Sequence, residues 1–184
     1  MRNPLSALLA FLLVALSPLS AQDGFKPIFD GKTLAGWDGN PELWSVEDGA
    51  ITGKTKGPDH LAYNQFLIWR GGVVKNFELR AKIKCSASNS GIQYRSKEID
   101  KWVVGGYQAE VENNPGKVGF LYHEAGRGWL VNVGDLMVID EKGEKEVVSN
   151  VSDVEELIKA GYYKDKDWNE YHIIAQGNHL KHYL

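Results

Sequence analysis

The chain has one cysteine in 184 residues, Cys85. No internal disulfide can form, so packing must supply the stability. Cys85 lies in a strand-like run and reads as a buried, inert thiol, not a nucleophile. After Leu16 no long apolar run recurs, so no membrane span is expected. Basic residues are not in excess: 21 Lys and Arg stand against 24 Asp and Glu, for a net charge of −3. A mildly acidic chain gives no support to nucleic-acid or anionic-membrane partners. No P-loop, dinucleotide fingerprint, nucleophile elbow or Ser-His-Asp arrangement is present. His172, His179 and His182 share no metal-ligand spacing, and there is no zinc signature or EF-hand loop. No cofactor is expected. A structural calcium ion stays open, because loop carboxylates and carbonyls can hold one without a motif. Internal repeats, heptads and low-complexity tracts are absent too.

What is present begins with an export signal. Arg2 is the positive start, Leu5 to Leu16 is apolar apart from Ser6, and Pro18-Leu-Ser-Ala21 ends on a small residue suited to cleavage before Gln22. With no cysteine near that point, a lipoprotein anchor is not expected. Residues 1–21 are thus a removable signal, and 22–184 form one domain large enough for a real core. The mature protein is expected in the periplasm or outside the cell, free of the membrane. Its oligomeric state cannot be read from the sequence.

Short alternating runs punctuated by glycine dominate the rest. Phe77, Leu79, Ala81 and Ile83 alternate with Glu78, Arg80, Lys82 and Lys84, the period of a half-buried strand. Leu43–Val46 and Ala50–Gly53 read as a hairpin around Glu47-Asp48-Gly49. Gly57-Pro58-Asp59, followed by His60, is a loop. Further strands are expected at Phe66–Trp69, Val118–His123, Met137–Ile139, Tyr171–Gln176 and from Leu180 onward. One short surface helix is expected after a capping box at Ser152-Asp-Val-Glu155, ending at Gly161. Trp37, Trp44 and Trp69 lie in apolar runs and read as core. The fold class is all-β, a sandwich. His179-Leu-Lys-His-Tyr-Leu184 resembles the first half of a hairpin, so one or two further strands are expected beyond it.

Two runs carry the candidate chemistry: Asn89-Ser-Gly-Ile-Gln-Tyr-Arg95 and Gly106-Tyr-Gln-Ala-Glu-Val-Glu112. In a strand, successive side chains face opposite sides of the sheet. Ile92, Tyr94, Tyr107, Ala109 and Val111 make an apolar face. Gln93, Arg95, Gln108, Glu110 and Glu112 make a polar one. His123-Glu124 with Arg127 forms a second polar knot, either a pocket mouth or a loop held by a Glu–Arg pair. Trp102 and Trp129 sit at strand ends, where an aromatic ring can stack on a sugar.

The motifs together resemble the 3-keto-disaccharide hydrolase domain family. The matching pieces are Phe29-Asp-Gly-Lys-Thr-Leu-Ala-Gly-Trp37, Trp44-Ser-Val-Glu-Asp-Gly-Ala-Ile-Thr-Gly53, Asn76-Phe-Glu-Leu-Arg80 and the two runs above. Gly119-Phe-Leu-Tyr122, Gly126-Arg-Gly128, Trp168-Asn169 and Gly177-Asn178 complete the set, in order, from Phe25 to Leu184. The chain carries Gln108 and Glu110 where the commoner pattern, Gly-x-Glu-x-Gln, has Glu and Gln. The resemblance implies a concanavalin-like jelly-roll sandwich. It also implies a carbohydrate substrate and cleavage of glycosides already oxidised to a ketone at C3.

A C3 ketone acidifies the proton on C2. Cleavage then needs a carboxylate base, a stabiliser for the enolate and an acid for the leaving oxygen. On the polar face Glu110 suits the base and Arg95 the stabiliser. Gln93, Gln108 and Asn89 suit the hydroxyls, with His123 and Arg127 beside them, and Glu124 or His123 suits the acid. Three other readings compete. Arg95 and Glu110 can form a plain cross-strand ion pair on a solvated sheet. Glu110 and Glu112, roughly 6.6 Å apart by strand rise, also fit a conventional two-carboxylate glycosidase, which needs about 5 to 9.5 Å. The third is a carbohydrate-binding module without catalysis.

Overall fold

A computed structural model describes residues 24–55 and 61–184. The expected signal at 1–21 and the Gly57-Pro58-Asp59 loop with His60 lie outside the described residues. The strands in chain order are β1 (Trp37–Asp38), β2 (Trp44–Glu47), β3 (Ala50–Gly53), β4 (Ile68–Trp69), β5 (Phe77–Ile83), β6 (Asn89–Asp100) and β7 (Val103–Glu112). They continue with β8 (Leu121–Glu124), β9 (Gly128–Val131), β10 (Asp135–Ile139), β11 (Lys145–Asn150), the helix α1 (Val154–Ala160), β12 (Asn169–Gln176) and β13 (His179–Tyr183).

The order β6-β7-β8-β9 makes a four-stranded sheet and β13-β12-β5 a three-stranded one. Every pairing in them is antiparallel. The two sheets bury their apolar faces together. Tyr94, Ala109 and Val111 from one meet Tyr171, Ile173 and Ala175 from the other, with Val118 between. Each fully buried large side chain contributes about 1.5–3 kcal/mol, so this layer is the main source of stability in a chain without disulfides. The alternation read in β5 is present: Phe77, Leu79, Ala81 and Ile83 are half-buried and the charged residues between them exposed. The sandwich expected from the sequence is the observed fold.

Local chemistry explains the smaller elements. The two-residue turn Asp48-Gly49 has φ of 50° and 76°, the left-handed pair that closes a tight hairpin. The helix begins one residue later than the sequence suggested. Asp153, not Ser152, is the cap, and its carboxylate accepts from Glu155 N at 2.8 Å and Glu156 N at 3.2 Å. An ionised cap is favoured at the positive end of a helix. Gly161, at φ 73°, closes the other end as expected. The strand expected at Val118–His123 starts only at Leu121, because Gly119 takes φ 91° and interrupts the pleat. Trp37, Trp44 and Trp69 are half-buried and lie outside the core layer. Cys85 is half-buried beside Ser88, and its burial raises the thiol pKa.

Polar ties cross the apolar layer. Tyr171 Oη donates to the Glu110 carbonyl at 3.0 Å. His182 Nδ1 lies 3.0 Å from the Gly119 carbonyl, and its Nε2 lies 2.8 Å from Tyr94 Oη. A carbonyl can only accept, so Nδ1 carries the proton and Nε2 accepts from the tyrosine. Burial lowers the His182 pKa below its ordinary 6.5. The folded state therefore binds this proton less readily than the unfolded chain. Stability is full above about pH 6.5 and falls as the pH drops below it. Each unit of depression costs about 1.4 kcal/mol in acid. Urea midpoints measured from pH 8 to pH 5 should fall with pH, and His182→Gln should remove the histidine part of that slope.

Candidate active site

The site lies on the face of the four-stranded sheet that points away from the core. Register defines it. Gln93 pairs with Gln108, Gln108 with Tyr122, and Tyr122 with Trp129, so these four side chains form one row across β6, β7, β8 and β9. Tyr94, Tyr107 and His123 form the row behind it, on the core side.

Glu110 sits at the centre of the polar face and is 3% exposed. Asn89 Nδ2 donates to its Oε1 at 3.0 Å, and Gln108 Nε2 donates to its Oε2 at 2.9 Å. Gln108 Oε1 in turn faces Gln93 Nε2 at 3.4 Å. The amides form a directed chain, each turned by the next so that donors point toward the carboxylate. Its far end, Gln93 Oε1, is buried without a partner. Burial raises the Glu110 pKa, the two amides pull it back, and the charges of Glu112 and Glu124 raise it again. A carboxylate set above its ordinary range is a stronger base when ionised.

Aromatic rings flank this carboxylate. Phe120 and Trp129 stack in parallel with centroids 3.8 Å apart, and Tyr122 meets Phe120 edge-on at 6.3 Å. Trp129 remains 42% exposed. The sequence reading missed Tyr122 and Phe120. The signal was present, since Phe120, Tyr122 and Glu124 alternate with Leu121 and His123, but these residues carry none of the acid–base chemistry that drew attention.

The structure brings together Asn89, Gln93, Gln108 and Glu110; Glu124 is on the same face but opposite Gly106, four residues and about 13 Å along β7 from Glu110. Asn64 Nδ2 stands 3.5 Å from Glu124 Oε2. Four expected residues lie elsewhere. The Arg95–Glu110 pair is not formed: Glu110 is opposite Gly91, four residues from Arg95, about 13 Å along the strand. A bulge interrupts the pairing between Tyr94 and Lys97, Arg95 takes φ 49°, and its Nε and Nη2 both bond the Lys75 carbonyl, at 3.1 and 2.9 Å. His123 and Arg127 belong to the other face. His123 stacks on Tyr107 at 4.8 Å, and Arg127 donates from its backbone to His123 Nδ1 at 3.3 Å and from Nη2 to Tyr107 Oη at 3.0 Å. Partial burial and the Arg127 charge lower the His123 pKa, which makes this ring a neutral packing partner. Trp102 donates Nε1 to Asp38 at 2.9 Å, inside a cluster where Arg70 bridges Asp38 and Glu98 at 2.7 Å each. It anchors the β6–β7 hairpin tip. Among the described residues no group of three or more His, Cys, Asp or Glu side chains converges to hold a metal ion.

The sandwich thus carries a buried carboxylate, an amide row and an aromatic pair on one sheet face. The chain belongs to the family described as the 3-keto-alpha-glucoside-1,2-lyase-like domain, which matches residues 24–184. It is also 40% identical over 85 residues to a 3-keto-disaccharide hydrolase of Bacteroides thetaiotaomicron. That stretch is 42% of this chain and 29% of the relative, so the match spans under a third of the relative's length.

Arg95→Ala tests the geometry. It should cost about 1–2 kcal/mol of stability through the lost bonds to Lys75 and leave the Glu110 titration, followed by carboxyl NMR, where it was. A cross-strand pair would instead make the Glu110 pKa rise.

Proposed function

We propose that this domain cleaves 3-ketoglycosides, with Glu110 as the base that removes the proton on C2. The observation that carries the reading is a single carboxylate, almost fully buried and gripped by two amides, on a sheet face otherwise built of amides and aromatic rings. The family's description and the relative's name agree with this chemistry. The Glu110 carboxylate takes the C2 proton, and the electron pair moves into the C2–C3 bond to give an enolate at the C3 oxygen. The second N–H of Asn89, the amide beside the carboxylate, meets that oxygen, in the place the sequence reading gave to Arg95. The C1–O bond then breaks, and the leaving oxygen takes a proton delivered through Glu124. Water adds across the resulting C1=C2 bond and completes the hydrolysis. The protein works outside the cytoplasm, in the periplasm or beyond, after loss of the signal at 1–21.

A second reading is a carbohydrate-binding module. The exposed Trp129 platform and the amide row favour it, since both hold a sugar without any acid–base step. One variant separates the two. Glu110→Gln should lower turnover of a 3-ketoglycoside by about 10²–10⁴-fold while sugar binding, followed by calorimetry, stays within a few-fold. The wild-type rate should fall as the pH drops through the Glu110 pKa, above the ordinary 4.5. Full activity in the variant removes Glu110 as base. Binding without turnover in both proteins makes the domain a binding module.

A further inference from the structure

Gly91 stands directly across from Glu110 in the β6–β7 pairing. Its backbone has no need of glycine, since it is not among the residues with positive φ. Glycine is also a poor strand residue, with nothing to pack and more entropy to lose. The space beside it has a different use. A Cβ placed on Gly91 would lie 2.3 Å from Gln108 Cδ, 2.4 Å from its Cγ and 2.7 Å from its Nε2. These distances lie inside the contact limit of real Cβ atoms, and the atoms met run along the Gln108 side chain instead of its free tip alone. Gln108 is paired with Gln93, one non-adjacent position away. To reach Glu110 Oε2 at 2.9 Å its side chain must lean along the sheet, over the bare backbone of Gly91.

We propose that Gly91 is a positioning residue of this site: the room left by its missing side chain lets Gln108 lie across the strand pair and hold one oxygen of the Glu110 carboxylate. The proposal rests on the reading of Glu110 as the base. Gly91 touches no reacting atom and acts through Gln108 alone. The groups that set the charge state of Glu110 are Gln108 and Glu112 on its own strand, Asn89 from β6 and Glu124 from β8. The three atoms nearest a Cβ on Gly91 all belong to Gln108.

The test is a carbon-13 NMR titration of the Glu110 carboxyl in the whole protein. Gly91→Ala displaces a donor to the ionised carboxylate, so the midpoint should rise by about one pH unit, the size of one such bond. Gln108→Ala should raise it equally, and the double variant should go no further, as expected for two changes acting through one contact. Gly53→Ala is the control: the atoms nearest its Cβ would be those of the Trp44 ring, not Gln108, and the midpoint should stay put. If Gly91→Ala does not fold, adding Gln108→Ala should restore folding by vacating the space. An unmoved midpoint in Gly91→Ala, additive shifts, or a double variant that still does not fold would each overturn the proposal. A wild-type midpoint at or below 4.5 would instead count against Glu110 as a raised base, and the comparison between variants would still decide the role of Gly91.

Discussion

A carboxylate buried in a sheet is stable only if its oxygens are met by donors, and Glu110 is met by two. That requirement organises much of the domain. It ties β6 to β7, because Asn89 of β6 donates to a carboxylate carried by β7. Through its own carbonyl, residue 110 is also bonded to Tyr171 of the opposite sheet. Its backbone exchanges bonds with the Gly119–Phe120 segment as well: Glu110 N donates to Phe120 O, and Gly119 N donates to Glu110 O. Core, sheet pairing and site therefore meet at one residue. Packing that keeps Tyr171 and Val111 in place also keeps the carboxylate in place.

The four-stranded sheet separates two kinds of work. Its inner rows, with Tyr94, Tyr107 and His123, stack rings and close the sandwich. Its outer row runs from amide to aromatic, Gln93 to Trp129. The β6–β7 hairpin tip is held separately, by the cluster of Asp38, Arg70, Glu98 and Trp102. Asp38 is kept below the ordinary carboxylate range there, first by the Trp102 hydrogen bond and then by Arg70. This cluster ties the β1–β4 pair to the long hairpin, and the loop carrying Asn64 follows it toward Glu124.

Much of this was legible in the sequence because a strand writes its two faces as alternation. The apolar set Ile92, Tyr94, Tyr107, Ala109 and Val111 and the polar set Gln93, Gln108 and Glu110 came directly from period two. What alternation cannot carry is register. Whether Arg95 stands beside Glu110 depends on which residues pair and on a bulge after Tyr94, and both are set by the hairpin and its neighbours. The same limit hid the aromatic platform. Phe120 meets Trp129 only because β8 turns back into β9 with a shift between Leu121 and Tyr122. The helix cap moved by one residue, since Ser152 and Asp153 are both good caps and it is the Asp153 carboxylate that accepts from Glu155 N and Glu156 N.

The central claim is that chemistry begins with proton removal from C2 by Glu110. The direct measurement is deuterium uptake at C2 of a 3-ketoglycoside incubated with the protein in heavy water, read by mass spectrometry and NMR alongside glycoside cleavage. The account predicts exchange at C2 in remaining substrate or product, lost in Glu110→Gln. Cleavage with the original C2 hydrogen fully retained would contradict it.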